Sequence, residues 1–316
     1  MAITSYFNAK QAGDDFIKLL SDKGISIPTG VKQEDDLLSL FQLLHSWDTT
    51  GSNTLINAEL LRKAVGVLDL ASLITSIEMY SDFDQLLPHL KLFEEAVDVD
   101  FGQNSQGTSS GASASNSNKI IELYIGALVI LLEDKGARNV MLDDPTKSKG
   151  DNPDVMFDFG SKKWAIALKT IHSSNGQTIF ENIKKGAEQI ESCSADKGII
   201  IINAKNKIDH TSLWNPQKPF IKVDDAIVAL RKQLENLVAN VNSNRDLSDW
   251  QNVFSGNKAI PPVLFMGHSL MAYHLENVGV VPMPVKMFLI EDFGCGACSE
   301  VRNLVFELNE WMQAPL

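Results

Sequence analysis

Along the first hundred residues, apolar positions recur at helical spacing. Leu37, Leu38, Leu40, Phe41, Leu43 and Leu44 form a broad apolar stripe behind Glu34, Asp35 and Asp36, acids that suit a helix N-terminus. The stretches 57–70 and 72–80 read as further helices, and Pro88 is expected to open or interrupt another that runs to about Val97. Residues 101–118, FGQNSQGTSSGASASNSN, carry almost no apolar side chain after Phe101. Such a stretch cannot offset its ordering entropy by burial. The expectation is a helical domain at 1–100, a flexible Gly/Ser/Asn linker at 101–118 and a second domain at 119–316.

The second domain alternates helix and strand patterns. Asn118 can cap a helix from about Lys119 to Glu133, with Ile121, Tyr124, Ile125, Leu128, Val129 and Leu132 on its inner side. Two short alternating runs, 154–159 and 164–169, flank the turn Gly160 to Lys163 and read as a β-hairpin. A helix at 178–192 precedes Gly198 to Ala204, whose run of isoleucines suits a strand buried on both faces. A helix at about 225–241 follows. Strands at 262–266 and 285–290 are expected to flank a short helix at about 269–276. The predicted fold class is α/β, a mixed central sheet flanked by helices, behind an all-α N-terminal domain.

Composition narrows the setting. The chain has 316 residues, is 44% hydrophobic and carries a formal charge of -12. Residues 1–118 hold 7 basic and 16 acidic side chains, whereas residues 119–230 hold 15 of each. The middle section therefore has material for a basic face in Lys147, Lys149, Lys162, Lys163, Lys184, Lys185, Lys205 and Lys207. The start lacks a basic run leading into an apolar stretch, the longest apolar runs are too short to span a bilayer, and three cysteines make no disulfide framework. Cytoplasmic residence away from membranes is the expectation.

The candidate chemistry lies in the hairpin. Strand periodicity puts Asp154, Met156 and Asp158 on one face, with Ala165, Ala167 and Lys169 facing the same way on the second strand. If Phe159 lies opposite Trp164, Asp154 lies opposite Lys169. Pro153 lacks a donor and, with Asn152, fixes the entrance to the first strand. Cys295 and Cys298 have the spacing of a redox pair or of half a zinc site, which His268 and His274 would have to complete.

Asn152-Pro153-Asp154, a short hairpin and a strand ending in Lys169 resemble the PD-(D/E)xK nuclease superfamily, over about residues 119–205. The resemblance implies a restriction-endonuclease-like core ordered α-β-β-β-α-β and a metal-dependent DNA endonuclease, a hydrolase of the kind found among restriction enzymes, with Mg²⁺ or Mn²⁺ as cofactor. By position it makes Asp154 the metal aspartate, Lys169 the lysine beside the attacking water, Glu122 the helix glutamate and Gln189 a supporting residue. DNA is the implied partner, and a homodimer is a further expectation from restriction enzymes. The chain departs from the pattern where the family has an acid two residues before the lysine: that position is Ala167. The acid has moved, to Asp158, Glu181 or Glu188, or it has been removed, or the site is inactive. Glu188 is the favoured replacement metal ligand. The alternative function is a non-catalytic protein that binds nucleic acid or protein on the same scaffold.

Overall fold

The structure, a computed structural model, describes residues 6–27, 58–94, 112–146 and 152–313. The apolar stripe at 37–44 and the end of the helix expected to reach Val97 lie outside the described residues. The N-terminal region supplies α1 (Tyr6–Asp22), α2 (Ala58–Ser76) and α3 (Leu87–Leu90). Two 3₁₀ turns flank α3, whose first turn holds Pro88, a position where the missing amide hydrogen costs little. α1 carries no apolar run long enough to have marked it in the sequence, and α2 joins what read as two segments. There follow α4 (Ala112–Ile130), β1 (Arg138–Leu142), β2 (Val155–Phe159), β3 (Lys162–Thr170), α5 (Gly176–Ser192) and β4 (Lys197–Asn203). The chain ends with α6 (His210–Leu213), α7 (Val223–Asn242), α8 (Leu247–Val253), β5 (Ala259–Leu275), β6 (Gly279–Glu291) and α9 (Ser299–Gln313). No helix among the described residues is long and apolar enough to cross a membrane.

The six strands among the described residues form one mixed sheet in chain order. β1, β2 and β3 run antiparallel, β3, β4 and β5 parallel, and β5 and β6 antiparallel. Each parallel step crosses over through helix, as parallel pairing requires. β4 divides two cores. Ile199 and Ile201 face a cluster with α1, α2, α4 and α9, while Ile200 and Ile202 face one with α5 and α7. Gly186 lets α5 lie close to the sheet, since a Cβ there would meet Ile200 at 3.1 Å and the Ala167 methyl at 3.5 Å.

The N-terminal helices share the first of these cores. Phe16, Leu20, Leu70 and Ile74 lie in the same buried cluster as Tyr124, Leu128, Ile201 and Leu264. A buried polar clamp reinforces the join. Lys286 on β6 donates to Asp69 on α2 at 2.5 Å and to the Tyr124 hydroxyl at 3.3 Å, and His268 Nε2 lies 3.6 Å from Asp69. Burial holds the His268 imidazole neutral, with its pKa lowered to about 3.

Four expectations need correction. Residues 112–118 of the expected linker are helical, so Asn118 lies inside α4 instead of capping it. β1 was not foreseen. The segment 269–276 is strand up to Leu275, paired residue for residue with β6. Finally, the hairpin register is offset by two: Phe157 lies opposite Trp164, and Phe159 opposite Lys162. The cause is a tighter turn, a two-residue loop in which Gly160 takes φ 63, a conformation open to glycine at little cost. Continued one pair, this register sets Asp154 against Ala167, not Lys169. A shift of two leaves every side chain on its original face.

Candidate functional site

The site begins where β2 begins. Pro153 has no amide hydrogen to offer a neighbouring strand, so ladder pairing stops at Asp154, whose N–H donates to the Ile166 carbonyl at 3.0 Å. The next amide of β3, Leu168, donates instead to the Asp154 carboxylate at 2.6 Å. The Asn152 carbonyl, turned away from β3, accepts from the Gln189 amide of α5 at 3.3 Å. Asn152-Pro153-Asp154 thus ends the ladder and fixes a buried carboxylate at the start of β2, against β3.

Two further elements converge there. α4 brings Glu122, 5% exposed, into hydrogen-bond contact with Asp154, which is 9% exposed. Lys119, one turn earlier on α4, donates to Glu122 at 2.8 Å and lies 3.8 Å from Asp143, just past β1. His89 on α3 sets Nε2 3.5 Å from the same Glu122 oxygen, and its buried Nδ1 has no hydrogen-bond partner among the described residues. From β3, Lys169 donates to the Gln189 side-chain carbonyl.

Crowded like charges and burial displace the titrations. The Asp154 carboxyl is pushed up to about 7, first by burial and then by Glu122, while Lys169, the Leu168 amide and Lys119 pull it back. Burial raises Glu122 as well, against the pull of Lys119. Burial lowers Lys169 below the usual lysine range, with Asp154 opposing. Burial, then Lys119, takes His89 down to about 4, so its imidazole is neutral near pH 7. Displaced titrations of this kind, in a buried carboxyl beside a lysine of lowered basicity, are common at acid–base centres.

The structure therefore brings Asp154, Glu122, Lys169 and Gln189 together. Glu188 is not with them: it lies exposed on α5, one residue from Gln189 and on the solvent side. Nor do the other stand-ins join. Asp158 accepts from Asn139 at 2.6 Å, and Glu181 accepts from Gln177 on the exposed side of α5. Lys119, Asp143 and His89 were not singled out from the sequence. Lys119 and Glu122 share a helical i, i+3 spacing that could have flagged them, but nothing local to His89 or Asp143 points to the hairpin.

No three His, Cys, Asp or Glu side chains among the described residues form a metal-holding group. Mg²⁺ asks for less, since it commonly binds through one or two carboxylates and completes its shell with water and substrate phosphate. Two buried carboxylates in contact, one of them titrating near 7, are a fitting donor pair for such a hard cation. The cysteine pair has no comparable support. His268 is committed to Asp69 and Tyr124, His274 is exposed near the far end of β5, and all three cysteines are free. The basic residues are also divided: Lys162 pairs with Glu300 and Lys205 is buried, whereas Lys184 and Lys185 are exposed on α5. Lys147 and Lys149 lie outside the described residues.

No family model matches the chain, no curated protein matches it, and no solved structure matches it.

Proposed function

We propose that the chain is a divalent-cation-dependent hydrolase of DNA phosphodiester bonds, an endonuclease on a restriction-endonuclease-like version of the α/β fold. One observation carries the reading: Glu122, Asp154, Lys169 and Gln189, from four separate elements, meet at the entrance to β2. The order α4-β1-β2-β3-α5-β4 supplies the third strand that the α-β-β-β-α-β core of the resembled family calls for.

In this reading Asp154 and Glu122 would hold Mg²⁺ or Mn²⁺, which when bound neutralises phosphate charge and acidifies water. The chain's own residues do the rest. Gln189 accepts from Lys169 and so fixes its ammonium within electrostatic reach of Asp154 and Glu122. There it can hold a water by a hydrogen bond and steady negative charge as it develops on a phosphate oxygen. Lys185, close enough to depress the basicity of Lys169, offers an exposed charge to the nucleic acid backbone.

The test is cleavage of supercoiled, linear and single-stranded DNA with Mg²⁺ or Mn²⁺. The wild type should cut at least one form, and K169M should slow that cutting about 100-fold or more. A folded wild type that neither cuts DNA nor binds either cation would end the proposal.

A second reading is favoured by one feature. Ala167 is fully buried opposite Asp154 and faces the closest approach of α5, so an acid there has no evident room. On this reading the scaffold binds nucleic acid or protein without cutting. DNA binding with no cleavage under any cation would select it.

A further inference from the structure

We propose that the Lys119 ammonium is a built-in counter-ion of the Glu122–Asp154 site, standing where extra positive charge would otherwise be recruited and holding divalent-cation affinity low. This deepens, and rests on, the reading of that pair as a cation site.

An i, i+3 Lys–Glu pair on a helix surface is commonplace. This one is not on the surface: Lys119 is 7% exposed and Glu122 is 5% exposed. Its ammonium lies 2.8 Å from the Glu122 carboxylate and 3.8 Å from Asp143, bridging two acids that come from different elements. Because Lys119 and Glu122 belong to the same helix, the pair is in place once α4 has formed. An incoming cation must then share Glu122 with a charge that cannot diffuse away.

The local count of charges gives the direction of the effect. With both carboxyls of the pair ionised, as a bound cation would leave them, Glu122, Asp154 and Asp143 set three carboxylates against the ammonium groups of Lys119 and Lys169. The surplus is a single negative charge, and a divalent cation overcompensates it. Without Lys119 the surplus is two, the charge that a divalent cation carries.

Calorimetric titration of Mn²⁺ into the full chain, into K119M and into K119M/E122Q tests this. K119M should bind Mn²⁺ about tenfold or more tightly than the wild type. E122Q in the K119M background should abolish that binding. K119Q, which loses the charge but keeps a donor for Glu122, reads the same change if K119M fails to fold. Mn²⁺ binding that depends on Glu122 but is equal in wild type, K119M and K119Q would overturn the role of Lys119 and leave the cation site standing. No Glu122-dependent binding in any of them would overturn both.

Discussion

Helix α4 serves two buried charged clusters from opposite sides, and the two are built on different terms. Tyr124 turns toward β5 and β6 and joins Asp69, Lys286 and His268, whereas Glu122, two residues away, turns toward the opening of β2. In the first cluster, one carboxylate meets one ammonium, with a phenol and a neutral imidazole beside them. In the second, carboxylates touch each other, cations are outnumbered, and burial displaces acids upward and a lysine downward. A matched buried pair fastens elements together, and breaking it leaves an uncompensated charge. A mismatched cluster holds groups in states that the fold does not prefer, which is how catalytic sites are commonly arranged. The first cluster reads as a clamp, the second as a site.

The sharpest way to break this comparison is to make the same substitution in both. K286M should destabilise the protein by about 3–5 kcal/mol, because Asp69 stays buried without its cation. The double variant D69L/K286M should recover most of the loss. K169M should cost less than about 1 kcal/mol, since Lys169 is only partly buried and burial already disfavours its charge. Urea unfolding measures all three, and equal losses in K286M and K169M would erase the distinction.

Next in size is A167E. In sequence terms, restoring the acid looks like a repair. The structure gives the opposite sign for stability. The Ala167 side chain is fully buried and faces Gly186, and four added heavy atoms plus a charge must fit between sheet and helix. A loss of about 2–3 kcal/mol is expected in the same assay. A stable A167E that gains cation binding would show that the gap under α5 opens more readily than its packing implies.

The two clusters also differ in how far the sequence discloses them. The clamp was not legible, since Asp69 and Lys286 are 217 residues apart and neither belongs to a local pattern. In the site, Asp154 and Lys169 were legible because a hairpin brings them together from 15 positions apart, and strand parity survives an error of two in register. Glu122 and Gln189 were reached only through the resemblance to the nuclease superfamily. Lys119, Asp143 and His89 were not reached, because the approach of α3 and β1 to α4 is a tertiary fact. The fold shows the same division. β4 announces itself by its isoleucines, but β1 is short and broken by Asn139 at φ 54. The segment 269–275 was misread because β5 is buried on both faces along most of its length, leaving no alternation to tell strand from helix.

The smallest effect distinguishes the clusters by pH. Asp154 has its pKa raised from 3.8 to about 7 in the folded chain. Below about pH 4 the carboxyl is protonated in both folded and unfolded states, so it adds no pH dependence. Between 4 and 7 the unfolded chain gives up the proton while the folded chain keeps it, and stability falls as pH rises. Above 7 the loss is complete. D154N removes this dependence while keeping an oxygen for the Leu168 amide. Its stability should therefore match the wild type near pH 4 and exceed it by about 1 kcal/mol at pH 8, allowing for the proton shared with Glu122. Urea midpoints at the two pH values measure the difference. A D154N variant less stable than the wild type at pH 8 would mean that the charged carboxylate is supported by its surroundings, and that this cluster is a second clamp.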